Sequence, residues 1–214
     1  MSNHPVIWVE GSIAAGKSTL CKKLAGLLDL RAFQEPIEVD YLDKFYKDPK
    51  KYAFEFQLRQ LARRIGIHQL AQAEALNAID FSGSLLDRGA PGDRVFCRLH
   101  CHYGNITPEQ WTTYEILFDQ AIGLIRPPAL LLYLDVEPEV ALERAKNRNR
   151  GAESGLTLEY LKDLRKGYLD LLAEIESKQH RWSDGIDVLR VPYNTDFLEV
   201  EPLAERIKDR LHMK

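Results

Sequence analysis

Short, largely apolar runs recur along the chain: Val6-Ile-Trp-Val9, Ser84-Leu-Leu-Asp87, Ala129-Leu-Leu-Leu-Tyr-Leu134 and Asp187-Val-Leu-Arg-Val191. Runs this short without polar alternation predict strands buried on both faces. A weaker run over Arg31 to Gln34 predicts a further strand. The stretches between them carry apolar residues at helical spacing, as in Ser18 to Leu28 after the first glycine-bounded strand. Strand and helix in alternation predict an α/β fold, a five-stranded parallel sheet flanked by helices, with ligands gathered at the carboxyl ends of the strands. No repeat, low-complexity tract or linker interrupts residues 1–214, so a single domain is expected.

Composition narrows the picture. With 45% hydrophobic residues among 214, the core needs no disulfide or metal to hold it. A net charge of -3 with interspersed signs argues against a nucleic-acid or anionic-membrane partner, so any phosphate chemistry has to rest on local arginines. No apolar run approaches the roughly 18 residues of a membrane span, and the first residues lack a signal-peptide pattern, which points to a cytoplasmic protein. Three cysteines suit a reducing compartment better than a disulfide framework. The segment Cys97-Arg-Leu-His100-Cys101-His102 has metal-ligand character but no second cluster to complete a site, and reads better as a half-buried helix.

The most specific signal is Gly11-Ser12-Ile13-Ala14-Ala15-Gly16-Lys17-Ser18, a phosphate-binding loop between a predicted strand and a predicted helix. Its backbone N–H groups can turn inward on ATP phosphates, Lys17 can reach the terminal phosphates and Ser18 can hold Mg²⁺. No Asn-Lys-x-Asp guanine-reading segment is present, which disfavours a GTPase. Glu35, before Pro36 at a predicted strand end, is placed for a catalytic carboxylate, against the simpler reading of a surface acid before a turn. Asp87-Arg88 follows another strand, so the acid could face Mg²⁺ and the arginine a substrate's 5′ end, unless the two merely pair with each other. Arg144, Arg148 and Arg150 lead into Gly151-Ala-Glu153-Ser-Gly155, the composition of an arginine-rich lid over phosphates.

Taken in order, Glu10-Gly-Ser-Ile-Ala-Ala-Gly-Lys-Ser-Thr19, Glu35-Pro36, Phe45-Tyr46, Asp48-Pro49, Phe54-Glu-Phe56-Gln57, Asp87-Arg88, the 144–155 segment, Leu158-Glu-Tyr160-Leu and Asn194-Thr-Asp-Phe197 resemble the deoxyribonucleoside kinase family over nearly the whole chain. The resemblance implies a P-loop fold and transfer of phosphate from ATP to the 5′-hydroxyl of a deoxyribonucleoside. Glu35 would be the base, with Lys17 and Arg88 at the reacting phosphate, Ser18 and Asp87 on magnesium, and the loop to Thr19 around ATP. Tyr46 and Glu153 would grip the 3′-hydroxyl, Gln57 the base edge with Phe56 beside it, and Phe197 would lie near adenine. Arg64 and Asp93 match positions where deoxycytidine and deoxypurine kinases carry an arginine and an aspartate. Facing the pocket, that pair would favour bases with an exocyclic amine and disfavour thymidine; the competing reading is a structural ion pair. A homodimer and feedback by a deoxynucleoside triphosphate are likewise implied. Asp40 and Gly89 depart from the family's usual aromatic and serine. Two other readings are a thymidylate-kinase-type enzyme acting on monophosphates and a nucleotide-driven switch ATPase.

Overall fold

The computed structural model describes residues 4–35, 39–77, 81–148, 155–195 and 199–213. Its sheet contains β1 (Val6–Gly11), β2 (Arg31–Phe33), β3 (Ser84–Asp87), β4 (Leu130–Asp135) and β5 (Asp187–Pro192). All pairings are parallel, in the order β2-β3-β1-β4-β5. The apolar runs thus form the sheet, with ends moved by a residue or two. The run at 31–34 gives a strand only to Phe33, because its partner strand pairs with Arg31, Ala32 and Phe33. Gln34 and Glu35 have already left the sheet and line a cavity.

The helices are α1 (Lys17–Leu28), α2 (Val39–Lys47), α3 (Pro49–Leu76), α4 (Ala90–His102), α5 (Pro108–Ile122), α6 (Pro138–Arg148), α7 (Leu158–Glu176) and α8 (Val200–Leu211). Local chemistry sets several starts. Asp48 accepts from the Lys51 N–H at 3.2 Å with Pro49 at the first helical position, and Thr107 forms a reciprocal capping box with Gln110. α1 packs on the sheet beside α8, while α3 packs on β1, β2 and β3 and carries α4 and α5.

The core is dense where β1 crosses beneath the site. Trp8 is fully buried and donates from Nε1 to His68 Nε2 at 2.8 Å, which satisfies the one polar atom of its ring. A Cβ on Gly89 would lie 2.6 Å from Trp8 Cδ2, so any side chain at position 89 would have to displace the indole. β1 lies between β3 and β4, and the ends of β1 and β3 deliver Gly11 and Asp87 to one edge of the sheet. The phosphate loop, Glu35 and Arg88 converge there.

Candidate active site

A cavity of about 610 Å³ opens at these strand ends, lined at one side by Ile13 to Thr19 and at the other by α2, α3 and α4. The phosphate loop forms one wall. Gly16 has φ 88°, a conformation costly for any other residue, and a Cβ there would lie 2.7 Å from the Tyr193 ring. Lys17 is buried and donates from Nζ to the carbonyls of Ser12 at 2.8 Å and Gly11 at 3.2 Å. Burial, then the Arg88 charge, lowers its pKa to about 8 against the pull of Glu35, Asp87 and Glu10. Ser18 Oγ donates to Asp87 Oδ2, while buried Asp87 Oδ1 has no hydrogen-bond partner. A hydroxyl and a carboxylate with a spare buried oxygen beside a phosphate loop are a hard-oxygen set that fits a magnesium ion.

Glu35 occupies the centre. It accepts from Arg64 Nη2 at 2.5 Å and lies 3.1 Å from Arg88 Nε. Burial alone would raise its pKa, but Arg88, Arg64 and Lys17 together outweigh it and hold the carboxyl at about 2. Arg88 has a left-handed backbone, φ 78°, uncommon outside glycine. Its Nη1 donates to the Gly11 carbonyl at 3.2 Å and to the Tyr168 hydroxyl, and its guanidinium carbon stands 4.9 Å from the centre of the Phe96 ring.

The opposite end is built by α3 and α4. Gln57, Gln60 and Arg64 share the cavity face of α3, and Asp93, Phe96 and His100 that of α4. Gln57 is buried, with its Oε1 unpartnered. Asp93 accepts from the Tyr114 hydroxyl at 2.8 Å, its other oxygen lies 3.5 Å from Arg64 Nη1, and burial lifts its pKa to about 6 despite Arg64. Phe45 stacks on Phe56 at 4.8 Å and meets the His100 ring edge-on at 5.0 Å, making an aromatic wall beside Gln57. Tyr46 and Tyr160 complete the lining. A neutral ring presenting both donors and acceptors would satisfy this end.

Residues 7–213 match the family model for deoxynucleoside kinases. The chain belongs to the deoxynucleoside kinase family. It is 37% identical over 203 residues to a deoxyadenosine kinase of Dictyostelium discoideum, covering 94% of this chain and 77% of the relative. It is 36% identical to a deoxyguanosine kinase of the same organism, over 81% of this chain and 60% of that protein. A solved structure of deoxyadenosine kinase from M. mycoides with bound dCTP aligns with a TM-score of 0.78 over 95% of this chain and 98% of that one, at 23% identity, a likeness of fold. This chain is thus an enzyme, a nucleoside salvage kinase on the five-stranded P-loop scaffold.

The kinase brings together most of the residues singled out from sequence. Ile13 to Thr19 of the phosphate loop, Glu35, Tyr46, Phe56, Gln57, Arg64, Asp87, Arg88, Asp93, Arg144 and Arg148 all border the one cavity. Arg150, Glu153 and Phe197 lie outside the described residues. Arg144 and Arg148 lie on α6, which leads toward the glycine-bounded stretch, and Arg144 donates to the carbonyls of Tyr193 at 3.0 Å and Thr195 at 2.9 Å while stacking on the Tyr193 ring. It therefore anchors the segment after β5, a role its position in the sequence did not announce. The metal-like segment on α4 divides differently. Cys97 turns into the core, where burial pushes its thiol up, and His100 faces Phe45. Among the described residues, no three His, Cys, Asp or Glu side chains group to hold a metal. Sequence reading gives Phe96, Tyr114, Tyr168 and Tyr193 no site role, while Phe45, Tyr160 and Glu10 stand only as family markers and His100 only in the metal-like segment. The spacing 93, 96, 100, three then four residues apart on one helical face, was the available signal for the α4 pair.

Proposed function

We propose that this kinase transfers the terminal phosphoryl group of ATP to the 5′-hydroxyl of deoxyadenosine or deoxycytidine, takes deoxyguanosine less well and thymidine poorly. The observation that carries the reading is the Glu35 carboxylate between Arg64 and Arg88, where the phosphate loop meets the buried Gln57, Arg64 and Asp93. The named substrates of the Dictyostelium relatives, deoxyadenosine and deoxyguanosine, support it.

The nucleoside enters with its base against the Phe45–Phe56 wall. Gln57 offers donor and acceptor to the base edge, and Asp93, an acceptor when ionised, takes an exocyclic amine. Thymine would set a carbonyl oxygen against that carboxylate and leave buried groups unpaired. Tyr46 and Glu153 serve the 3′-hydroxyl. The 5′-hydroxyl then lies against Glu35. A carboxylate as acidic as Glu35 takes a proton weakly in the ground state, but in a loose transition state little proton transfer is needed early. Its task is to stay ionised and aim the hydroxyl's lone pair at the phosphorus, while Arg88 and Lys17 meet the charge spreading over the phosphoryl oxygens. Ser18 and Asp87 would hold magnesium, which screens the phosphate charges. The loop from Gly11 to Thr19, Arg148, Arg150 and Phe197 enclose the nucleotide, with Arg144 holding the segment that leads to Phe197. A cytoplasmic homodimer completes the reading, supported by the reduced cysteines and by the family resemblance.

A monophosphate acceptor is disfavoured because the cations nearest the acceptor, Arg64 and Arg88, are already committed to Glu35 and Asp93. Labelled ATP supplied with deoxynucleosides and, separately, with their 5′-monophosphates tests the choice. Label is expected in 5′-monophosphates; label appearing only in diphosphates would refute the proposal.

A further inference from the structure

Arg88 can serve the transfer only if its guanidinium is held still, and two residues without a place in the reading above surround its far edge. Glu10, the residue before the phosphate loop, is fully buried at the end of β1. One of its oxygens accepts the Gly89 N–H at 2.8 Å, and the other accepts the Tyr168 hydroxyl at 3.1 Å and lies 3.8 Å from Arg88 Nη1. Tyr168, from the middle of α7, is itself fully buried and takes a hydrogen bond from Arg88 Nη1 on the same oxygen that donates to Glu10. The backbone is pinned to the same strand, since the Arg88 N–H donates to the Val9 carbonyl at 2.9 Å. Space for the carboxylate is reserved, because a Cβ at Gly92 would run into it.

We propose that Glu10 and Tyr168 are positioning residues for phosphoryl transfer: they hold the Nη1 edge of Arg88 at the phosphate loop so that its Nε edge meets Glu35 without collapsing onto it. The physical reason is a balance of charge. Arg88 stands between two carboxylates, Glu35 at 3.1 Å and Glu10 at 3.8 Å. Without the rear carboxylate and the phenol that relays to it, the Nη1 edge keeps only its 3.2 Å bond to the Gly11 carbonyl against the pull of Glu35. A tighter Arg88–Glu35 pair would then occupy the oxygen that must accept the substrate hydroxyl, and would draw the guanidinium from the phosphoryl group. Glu10 and Tyr168 act through Arg88 and touch neither substrate.

This inference rests on the deoxynucleoside kinase reading, and the test separates the two. A double-mutant cycle compares wild type, Tyr168→Phe, Arg88→Lys and the double variant, with kcat and KM for ATP and deoxyadenosine and thermal midpoints recorded for each. Tyr168→Phe is expected to lower kcat by about tenfold in the wild-type background, the worth of one charge-assisted bond, and by less than about twofold in the Arg88→Lys background. The KM for ATP and the midpoint should stay close to wild type. Should Tyr168→Phe fail to fold, Glu10→Gln, which keeps the bond from Gly89 and removes the charge, enters the same cycle with the same expectation. An unchanged kcat, an equal fall in both backgrounds, or a lowered midpoint alone would overturn the inference while leaving the kinase reading intact. A wild type inactive on every deoxynucleoside would overturn that reading and this inference with it.

Discussion

Glu35 and Lys17 show how burial and neighbouring charge act in opposite directions on two groups a few ångströms from the same reaction. Glu35 has its carboxyl depressed to about 2, so it is ionised at any assay pH, and the stability it contributes is present above its ordinary pKa near 4.5 and lost only as pH falls toward 2. Glu35→Gln should therefore lower kcat by about a hundredfold or more while leaving ATP affinity nearly unchanged, the loss expected for a positioned acceptor. Steady-state kinetics and a nucleotide titration on the folded variant check this, and near wild-type turnover would remove Glu35 from its role. The Lys17 pKa falls as well, but in a cation that favours the neutral form: burial, then the Arg88 charge, lowers it to about 8 and leaves part of it uncharged in mildly alkaline solution. Bound phosphates favour the charged form, so ATP binding should take up protons above pH 8 and almost none near pH 6.5, and affinity should weaken as pH rises through about 8. Calorimetric titration in buffers of different ionisation enthalpy reads the uptake directly; equal proton release at both pH values would contradict it. Neither shift is visible in sequence. The motif supplies a lysine and the glycines, whereas the Lys17 shift comes from burial and Arg88 and the Glu35 shift from Arg88, Arg64 and Lys17, with Arg88 placed just after β3 and Arg64 on α3.

At the scale of elements, the strands were legible because a parallel sheet covered on both faces leaves only apolar side chains to choose from, as in Leu130–Asp135. Their ends were less so, because a strand stops where its neighbour stops pairing, as at Phe33. Packing between elements was not legible. Trp8 on β1, His68 on α3 and Gly89 before α4 form one unit: the histidine accepts the indole N–H, burial holds the histidine pKa down at about 3, and the indole fills the space a side chain at 89 would need. Gly89→Ala should accordingly destabilise the fold by about 1–3 kcal/mol, the usual cost of overpacking. A thermal midpoint lower by several degrees is expected, and an unchanged midpoint would mean that β1 and α4 shift apart without cost. The same unit accounts for a glycine at position 89.

For the whole molecule, the order of motifs announced the family and most of the cavity, since the phosphate loop, Glu35 and Asp87-Arg88 all come from strand ends on one edge of the sheet. The rest needed the fold. Tyr168 reaches Glu10 across 158 residues of sequence, and the Tyr114 hydroxyl from α5 settles on Asp93, two arrangements that only the packing of α4, α5 and α7 creates. On the proposed reading, this packing selects the base as well as the reaction. One competition assay tests it: deoxyadenosine and thymidine offered together to the wild-type enzyme with ATP, and the two monophosphates measured as they form. The buried Gln57, Arg64 and Asp93 predict a ratio of specificity constants of about a hundredfold or more for deoxyadenosine, since sites built on hydrogen bonds reject mismatched analogues strongly. Equal use of the two, or a preference for thymidine, would contradict the account and return Arg64 and Asp93 to a structural ion pair.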